Sequence, residues 1–173
     1  GYVLATMHRV SNVDDPCRLR SVLVGLDVLA AQVPLLFPLH PHTRAQAERA
    51  GLTHLFDRLH LLPPLNPADF LALEAEAALI VSDSGGVQEE ACFLRRPLLV
   101  LRDNTERPEL LDRWCRLLGD ADPTTALLAA YADAPAWRAR LSSRALPYAE
   151  GGASARIVAE LDARLDGQAA CAA

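Results

Sequence analysis

The sequence predicts an α/β fold in which a Rossmann-like parallel sheet is flanked by helices. Short apolar runs of strand length alternate with segments of helical spacing, which is the pattern of β-turn-α units. The apolar runs lack polar alternation, as expected for strands buried on both faces of a parallel sheet. One run ends directly in a turn of serines and glycines that opens a helix, and open α/β folds bind ligands at such turns.

Composition indicates a globular chain of one domain. The chain has 173 residues, 51% of them hydrophobic and 23% charged, and this length is enough to bury a full core. The net charge is −5 and no basic stripe stands out, which argues against a nucleic-acid surface. No apolar run approaches the roughly 18 residues of a membrane span, and no signal peptide is visible. We therefore expect a cytoplasmic protein that binds neither nucleic acid nor membrane.

The cysteines are widely spaced and form no C-x-x-C pair; they are Cys17, Cys92, Cys115 and Cys171. We interpret them as reduced thiols rather than as a disulfide framework or a zinc site. No cluster of histidines, cysteines and carboxylates has the spacing of metal ligands. Neither a metal nor a cofactor is expected.

Two βα units occupy the start of the chain. Residues 2–6 form a strand at once, without a leader, so we expect a fragment cut at a domain boundary. A helix follows from residue 14 to about 33, because two aspartates and a proline open it and apolar residues recur at helical spacing. The second unit has a strand at 35–39, a turn at 40–44 and a short helix at 45–50 that a glycine ends.

The middle of the chain repeats the pattern. Residues 60–62 form a short third strand, and a helix follows to about residue 76, with a proline at its first position. The run 77–81 is the fourth strand, residues 87–94 are helical, and 98–101 is the fifth strand.

The last third of the chain is less regular. Residues 110–118 are apolar enough to be either a helix or a packed loop. Three helices are predicted beyond it, at 124–131, 137–143 and about 153–165. One domain therefore spans residues 1–166, and residues 167–173 are expected to be a disordered tail.

The glycine turn after the fourth strand has the features of an anion site. Residues 82–84 stop the strand, and Gly85 and Gly86 let a ligand approach the backbone amides closely. The following helix points its free N–H groups and positive dipole end at the turn, where phosphate commonly binds. Glu90 can accept hydrogen bonds from a ribose diol, so a nucleotide fits better than bare phosphate. The alternative is an ordinary strand-to-helix turn with an N-cap.

A charged segment at residues 102–109, with the sequence R-D-N-T-E-R-P-E, follows the fifth strand. A segment in this position lies at the carboxyl edge of a parallel sheet, where ligands bind. The two arginines could clamp a diphosphate through bidentate hydrogen bonds.

Together, D-S-G-G-V-Q-E-E at residues 83–90 and R-D-N-T-E-R-P-E at 102–109 resemble the signature of the UDP-N-acetylglucosamine 2-epimerases of the non-hydrolysing type. The resemblance covers nearly the whole chain and corresponds to the C-terminal, UDP-binding domain of that family. It implies that the Rossmann-like domain is one half of a two-domain GT-B-type architecture, whose N-terminal domain is absent from this chain.

Other family motifs match in part. Of T-x-H-R-x-E-N, this chain has Thr6, His8, Arg9 and Asn12, but Ser11 replaces the usual glutamate. Of P-x-H-x-N-P it has Pro38 and His40, with His42 and Thr43 in place of Asn-Pro. Before the last helix, Pro147, Tyr148, Gly151 and Ala153 fit the family pattern, while Leu146 and Ala149 depart from it. The glycine that the family has soon after T-E-R-P-E is missing.

The resemblance implies a set of site residues. Ser84, Gly85 and Gly86 would hold the diphosphate, Glu90 the ribose hydroxyls and Arg107 the phosphate edge, while Phe70 would lie against the uracil. His8, as the catalytic residue, and His40 would lie at the cleft near the diphosphate and sugar. Simpler interpretations stay open: a strand-end histidine for His8, a surface turn for His40 and a core aromatic for Phe70.

The family reaction implied is the interconversion of UDP-GlcNAc and UDP-ManNAc by elimination and re-addition of UDP. The carboxylates that transfer the protons belong to the absent domain, so this half is expected to be inactive alone. A homodimer formed mainly through that domain is implied for the full-length protein. Alternatives are a hydrolysing 2-epimerase, half of a GT-B glycosyltransferase, or a non-enzymatic UDP-sugar sensor.

Overall fold

A six-stranded parallel sheet forms the centre of the protein, as predicted. The computed structural model describes residues 1–148 and 151–171. Its strands lie in the order β3-β2-β1-β4-β5-β6, and every pair is parallel. They are β1 (Val3–Thr6), β2 (Leu35–Pro38), β3 (His60–Leu62), β4 (Leu79–Ser82), β5 (Leu98–Val100) and β6 (Cys115–Leu117).

Helices connect the strands and cover the sheet. They are α1 (Val10–Val13), α2 (Pro16–Ala30), α3 (Pro41–Arg49), α4 (Pro67–Glu76), α5 (Gly85–Phe93), α6 (Pro123–Ser142) and α7 (Ala153–Cys171). Four of them begin with a proline whose preceding residue accepts a backbone hydrogen bond, namely Asp15, His40, Asn66 and Asp122. Proline at the first helical position loses no intrahelical bond, so these starts are fixed locally by sequence.

The order of the strands places a cleft between β1 and β4. The chain builds outward from β1 to β2 and β3, then crosses back to place β4 on the other side of β1. Val3 of β1 accordingly pairs with Leu35 on one side and Leu79 on the other. At such a switch point the loops leave in opposite directions, which opens a crevice at the carboxyl ends of the strands.

The segment after Pro108 corrects the sequence interpretation. Residues 110–118 include strand β6 instead of being a helix or a loop alone. Leu98 of β5 pairs with Cys115 of β6, and this pairing at the sheet edge decides the conformation of a run too short for a periodic signal.

The two helices predicted at 124–131 and 137–143 are one continuous helix, α6. It continues through Pro135, although an interior proline removes a helix hydrogen bond at a cost of about 3 kcal/mol. Ala134, Trp137 and Leu141 are buried on either side of the proline. Burial of this apolar face offsets the lost bond.

Helix α7 extends beyond its predicted end near residue 165. It continues to Cys171, while the disordered tail at residues 167–173 stays a prediction. The segment Gly167-Gln168-Ala169-Ala170 contains one weak helix former followed by three good ones, which explains the continuation. Residues 172–173, and Ala149 among the family departures, lie outside the described residues.

None of the described helices is both long and apolar enough to cross a membrane. Cys17, Cys92 and Cys115 are free thiols, and only Cys17 is exposed.

Helices α2 and α6 pack so closely that Gly25 leaves no room for a side chain. A Cβ at Gly25 would lie 2.8 Å from Leu127 Cδ1 and 3.1 Å from the backbone nitrogen of Thr124. We expect Gly25→Val to destabilise the protein by about 2 kcal/mol or more, because overpacking forces the helices apart. Urea unfolding measures this change. Arg20→Val places the same side chain at an exposed position of α2; an equal loss there would show that helix propensity, not packing, is responsible.

Candidate functional site

The glycine turn lies at the carboxyl end of β4, beside the end of β1. Ser84 is the N-cap residue of α5 with extended backbone angles, φ −81° and ψ 137°, and its N–H donates to Ser82 Oγ at 3.0 Å. The helix begins at Gly85 rather than at the predicted Val87. Gly85 and Gly86 therefore contribute first-turn N–H groups, which have no acceptor within the helix.

Asp83 joins the loop after β1 to the glycine turn, and sequence reasoning did not select it as a site residue. Its side chain is fully buried. It accepts the backbone N–H of His8 at 3.1 Å, the backbone N–H of Arg9 at 2.9 Å and Asn12 Nδ2 at 3.0 Å. Asn12 Nδ2 also donates to the carbonyl of Leu101 at 2.8 Å. The D-S-G-G motif contained the signal, since a buried aspartate needs such donors.

His8 and His40, both predicted site residues, lie together at the sheet edge. Their ring centroids are 5.8 Å apart. His8 Nδ1 lies 3.3 Å from Asp83 Oδ1, and the His8 side chain is 42% exposed. A carboxylate beside Nδ1 favours the tautomer with its proton there, which leaves Nε2 free to act on a ligand. His40 is also the N-cap of α3, where its Nδ1 accepts the N–H of His42 at 3.2 Å.

Arg107 lies along α5 and forms an ion pair with Glu89. Its backbone N–H donates to Thr105 Oγ1 at 3.0 Å. Thr105 Oγ1 in turn donates to Gln88 Oε1 at 2.5 Å, so the loop after β5 is fastened to α5. Glu90 lies on the same helix, and burial together with the nearby Glu89 raises its pKa.

Phe70 lies on α4, half-buried and packed against the core. One turn further along, Glu74 is fully buried, and within the described chain neither of its carboxyl oxygens has a hydrogen-bond partner. Burial, with a smaller contribution from Glu90, raises the pKa of Glu74 to about 8. Its carboxyl group is therefore mainly protonated at neutral pH.

Arg9 and Arg102 lie near the glycine turn, and both form ion pairs with Glu106. Sequence reasoning did not predict that these three residues form a cluster. Arg9 Nη2 lies 3.2 Å from Glu106 Oε1, and Arg102 Nη1 lies 2.5 Å from Glu106 Oε2. A Cβ at Gly85 would lie only 2.7 Å from Glu106 Oε1. A backbone hydrogen bond, assisted by Arg102 and Arg9, lowers the pKa of Glu106, so its carboxylate is charged at neutral pH.

The structure thus brings most of the predicted residues to one edge. His8, His40, Ser84, Gly85 and Gly86 lie at the carboxyl ends of β1, β2 and β4, and Glu90 and Arg107 lie along α5. Phe70 is on the neighbouring helix α4, which packs against α5. Within the described residues, no group of three or more histidine, cysteine or acidic side chains is arranged to hold a metal ion.

The model of the UDP-N-acetylglucosamine 2-epimerase family matches residues 1–162. The chain belongs to this family. A UDP-N-acetylglucosamine 2-epimerase from Methanococcus maripaludis is 38% identical over 131 residues, covering 73% of this chain and 36% of that protein.

Two other similarities inform the site. A UDP-2,3-diacetamido-2,3-dideoxy-D-glucuronate 2-epimerase from Pseudomonas aeruginosa is 40% identical over 112 residues, covering 64% of this chain and 31% of that protein. The crystal structure of a Methanocaldococcus jannaschii UDP-GlcNAc 2-epimerase in complex with UDP-GlcNAc and UDP superposes with a TM-score of 0.79 at 34% identity. It matches 93% of this chain and 45% of that one. The chain therefore spans less than half the length of these relatives, in agreement with one half of a GT-B-type architecture.

The contacts of Asp83 generate one prediction. Asp83→Asn removes the negative charge that the N–H donors of His8, Arg9 and Asn12 share on Oδ2, and it replaces Oδ1 by an N–H₂ group that faces the backbone N–H of His8 at 3.2 Å. We expect a loss of about 2–3 kcal/mol in the free energy of unfolding, measured with urea. Asp103→Asn is the control, because Asp103 is 71% exposed and its pair with Arg18 is a surface contact; its expected effect is below about 1 kcal/mol. Equal losses in both variants would contradict the role given to Asp83.

Glu74 generates a second prediction, on pH dependence. Its pKa is 4.5 in an ordinary setting and about 8 in the folded protein, so between these values the folded state holds a proton that the unfolded chain releases. Stability therefore falls as pH rises through this window and levels off above it. We expect Glu74→Gln to remove this slope and to gain about 3–4 kcal/mol relative to wild type between pH 5 and 8.5.

Urea unfolding at several pH values measures the difference between the two proteins. Glu76→Gln is the control, because Glu76 is an exposed carboxyl on the same helix. A difference between Glu74→Gln and wild type that stays constant with pH would show that Glu74 is ionised in the folded protein.

Proposed function

We propose that this chain is the UDP-binding half of a UDP-N-acetylglucosamine 2-epimerase that interconverts UDP-GlcNAc and UDP-ManNAc. The observation that carries the proposal is the glycine turn of α5 at the β1–β4 switch point, with His8 held beside it by Asp83. A helix N-terminus in this place favours a diphosphate. The family relative from M. jannaschii was crystallised with UDP-GlcNAc and UDP, which supports the same ligand here.

The proposed binding mode assigns to these side chains the contacts that the family resemblance implies. The diphosphate lies on the N–H groups of Ser84, Gly85 and Gly86, and the ribose hydroxyls bond to Glu90. Phe70 lies against the uracil. Arg107 reaches the phosphate edge once it exchanges its partner Glu89 for the ligand.

The reaction requires a base that removes the proton at C2 of the sugar, departure of UDP to leave a glycal, and re-addition of UDP after the proton returns on the other face. This half stabilises the charge that develops on the departing diphosphate, through helix N–H groups and cationic side chains. The His8 ring lies at the same edge, and its Nε2 can donate a hydrogen bond to a phosphate oxygen when protonated. The carboxylates that move the C2 proton belong to the other domain, so this chain alone is inactive.

Helix α7 supports the presence of a partner domain. Its exposed apolar residues, each more than half exposed, are Ile157, Val158, Leu161 and Leu165. Their spacing forms a stripe along one side of the helix. Such a stripe gains stability when covered, and we assign it to the N-terminal domain of the full-length enzyme. We also propose that the full-length enzyme is a cytoplasmic homodimer.

A second substrate is favoured by one comparison. The P. aeruginosa relative is named for a UDP-linked diacetamido-glucuronate. This nucleotide sugar has the same UDP portion as UDP-GlcNAc. The contacts proposed above concern UDP, so the sugar is selected by groups beyond them. Assay of the rebuilt two-domain protein with both nucleotide sugars decides between these substrates.

We expect titration calorimetry to detect saturable binding of UDP, and Glu90→Ala to weaken it about 10- to 100-fold through loss of two hydrogen bonds from the ribose. Arg107→Ala is expected to weaken binding less, by about tenfold or under, because the arginine first has to leave Glu89. Glu48→Ala, an exposed carboxylate on α3, is the control and should bind as wild type does. Absence of UDP binding by both this chain and the full-length protein would refute the proposal.

A further inference from the structure

The carboxylate of Glu106 lies against Gly85 of the glycine turn. Gly85 is the first residue of the nine-residue helix α5, and the absence of a side chain there leaves its backbone accessible. Glu106 Oε1 fills that space, since a Cβ on Gly85 would lie 2.7 Å from it. The carboxylate therefore lies against Gly85 at the start of α5.

The positive charge around the Glu106 carboxylate exceeds its single negative charge. Arg9 and Arg102 lie 3.2 Å and 2.5 Å from its two oxygens, and the positive end of the α5 dipole lies below. The Arg102 side chain is only 10% exposed, so its charge is poorly hydrated. Two guanidinium groups and a helix N-terminus around one carboxylate form a site suited to an anion of higher charge.

The side chain of Glu106 can leave without moving the backbone. Thr105, the preceding residue, is fastened to the buried Gln88 of α5 at 2.5 Å, and the N–H of Arg107 is held by Thr105 Oγ1. The carboxylate itself is 42% exposed. Rotation of one side chain into solvent therefore uncovers Gly85 while the loop stays in place.

We propose that Glu106 is an internal substitute for the diphosphate: in the free protein its carboxylate lies against Gly85 and pairs with Arg9 and Arg102 beside the glycine turn. An incoming diphosphate displaces it and takes over both arginines. Glu106 is thus a positioning residue that keeps the arginines in place and lowers the apparent affinity for the ligand. This inference rests on the proposed function, because the displacing group is the diphosphate of the nucleotide.

The test compares UDP and uridine binding to Glu106→Gln and to wild type. Glutamine keeps the size of the side chain but removes the charge that competes with diphosphate. Because the carboxylate of Glu106 is 42% exposed, displacing it from its two arginines costs on the order of 1 kcal/mol, and we expect Glu106→Gln to bind UDP about fivefold more tightly. Uridine has no phosphate and should bind both proteins equally. Glu109→Gln removes a charge from the same loop, where Glu109 bonds to Tyr148 instead, and should leave UDP affinity unchanged.

Equal or weaker UDP binding by Glu106→Gln overturns the inference, and so does an equal gain for uridine, which would indicate a general change of structure. Circular dichroism checks that the variant is folded. If it is not, Glu106→Asp keeps the charge but withdraws the carboxylate from Gly85, and its UDP affinity should rise by a smaller factor.

Inorganic pyrophosphate separates this inference from the proposed function. Tighter pyrophosphate binding by Glu106→Gln, with no UDP binding by any protein, would support the internal substitute and refute the UDP site. UDP binding that is unchanged by Glu106→Gln would leave the UDP site in place and refute the substitute.

Discussion

The buried carboxyl group of Asp83 is the contact on which the rest of the site depends. It has no exposed surface at the end of β4, and a buried acceptor without donors would be strongly destabilising. The loop after β1 supplies the donors, from His8, Arg9 and Asn12. Asn12 extends the connection to Leu101 after β5. The ends of three neighbouring strands are thereby joined, and this joint fixes the direction in which His8 faces.

Around Asp83, the arginines of the site form ion pairs with glutamates that a ligand anion could replace. Glu106 pairs with Arg9 and with the nearly buried Arg102, and Glu89 pairs with Arg107; all of the carboxylates in these pairs are partly exposed. Exposed ion pairs contribute little stability, so a ligand anion can replace a carboxylate at small cost. These carboxylates hold the arginines in place in the free protein, and an arriving nucleotide has to displace them. Glu74 differs, because it is buried without a hydrogen-bond partner among the described residues, and burial raises its pKa so that it is mainly neutral.

The proposed division of labour between two domains agrees with the surfaces of this one. The glycine turn, His8 and His40 lie open at the carboxyl edge of the sheet, where a second domain can close over a ligand. The apolar stripe of α7 is exposed on a separate helix, as expected of a segment that packs elsewhere. In the proposed function the acid–base groups come from outside this chain, which spans less than half the length of its family relatives.

The sequence by itself determined the first five strands, the glycine turn and most of the helix starts, because apolar runs, N-caps and prolines act over a few residues. It also determined the family, through the motifs at residues 83–90 and 102–109. Only the tertiary structure decided the strand β6 and the continuity of α6 through Pro135, since pairing with β5 and burial of Trp137 override weak or contrary local signals. The same holds for the bonds of Asp83 to His8 and for the position of Glu106 over Gly85. Those contacts join residues distant along the chain. They exist because the strand order brings the ends of β1, β4 and β5 together, and no local pattern contains that order.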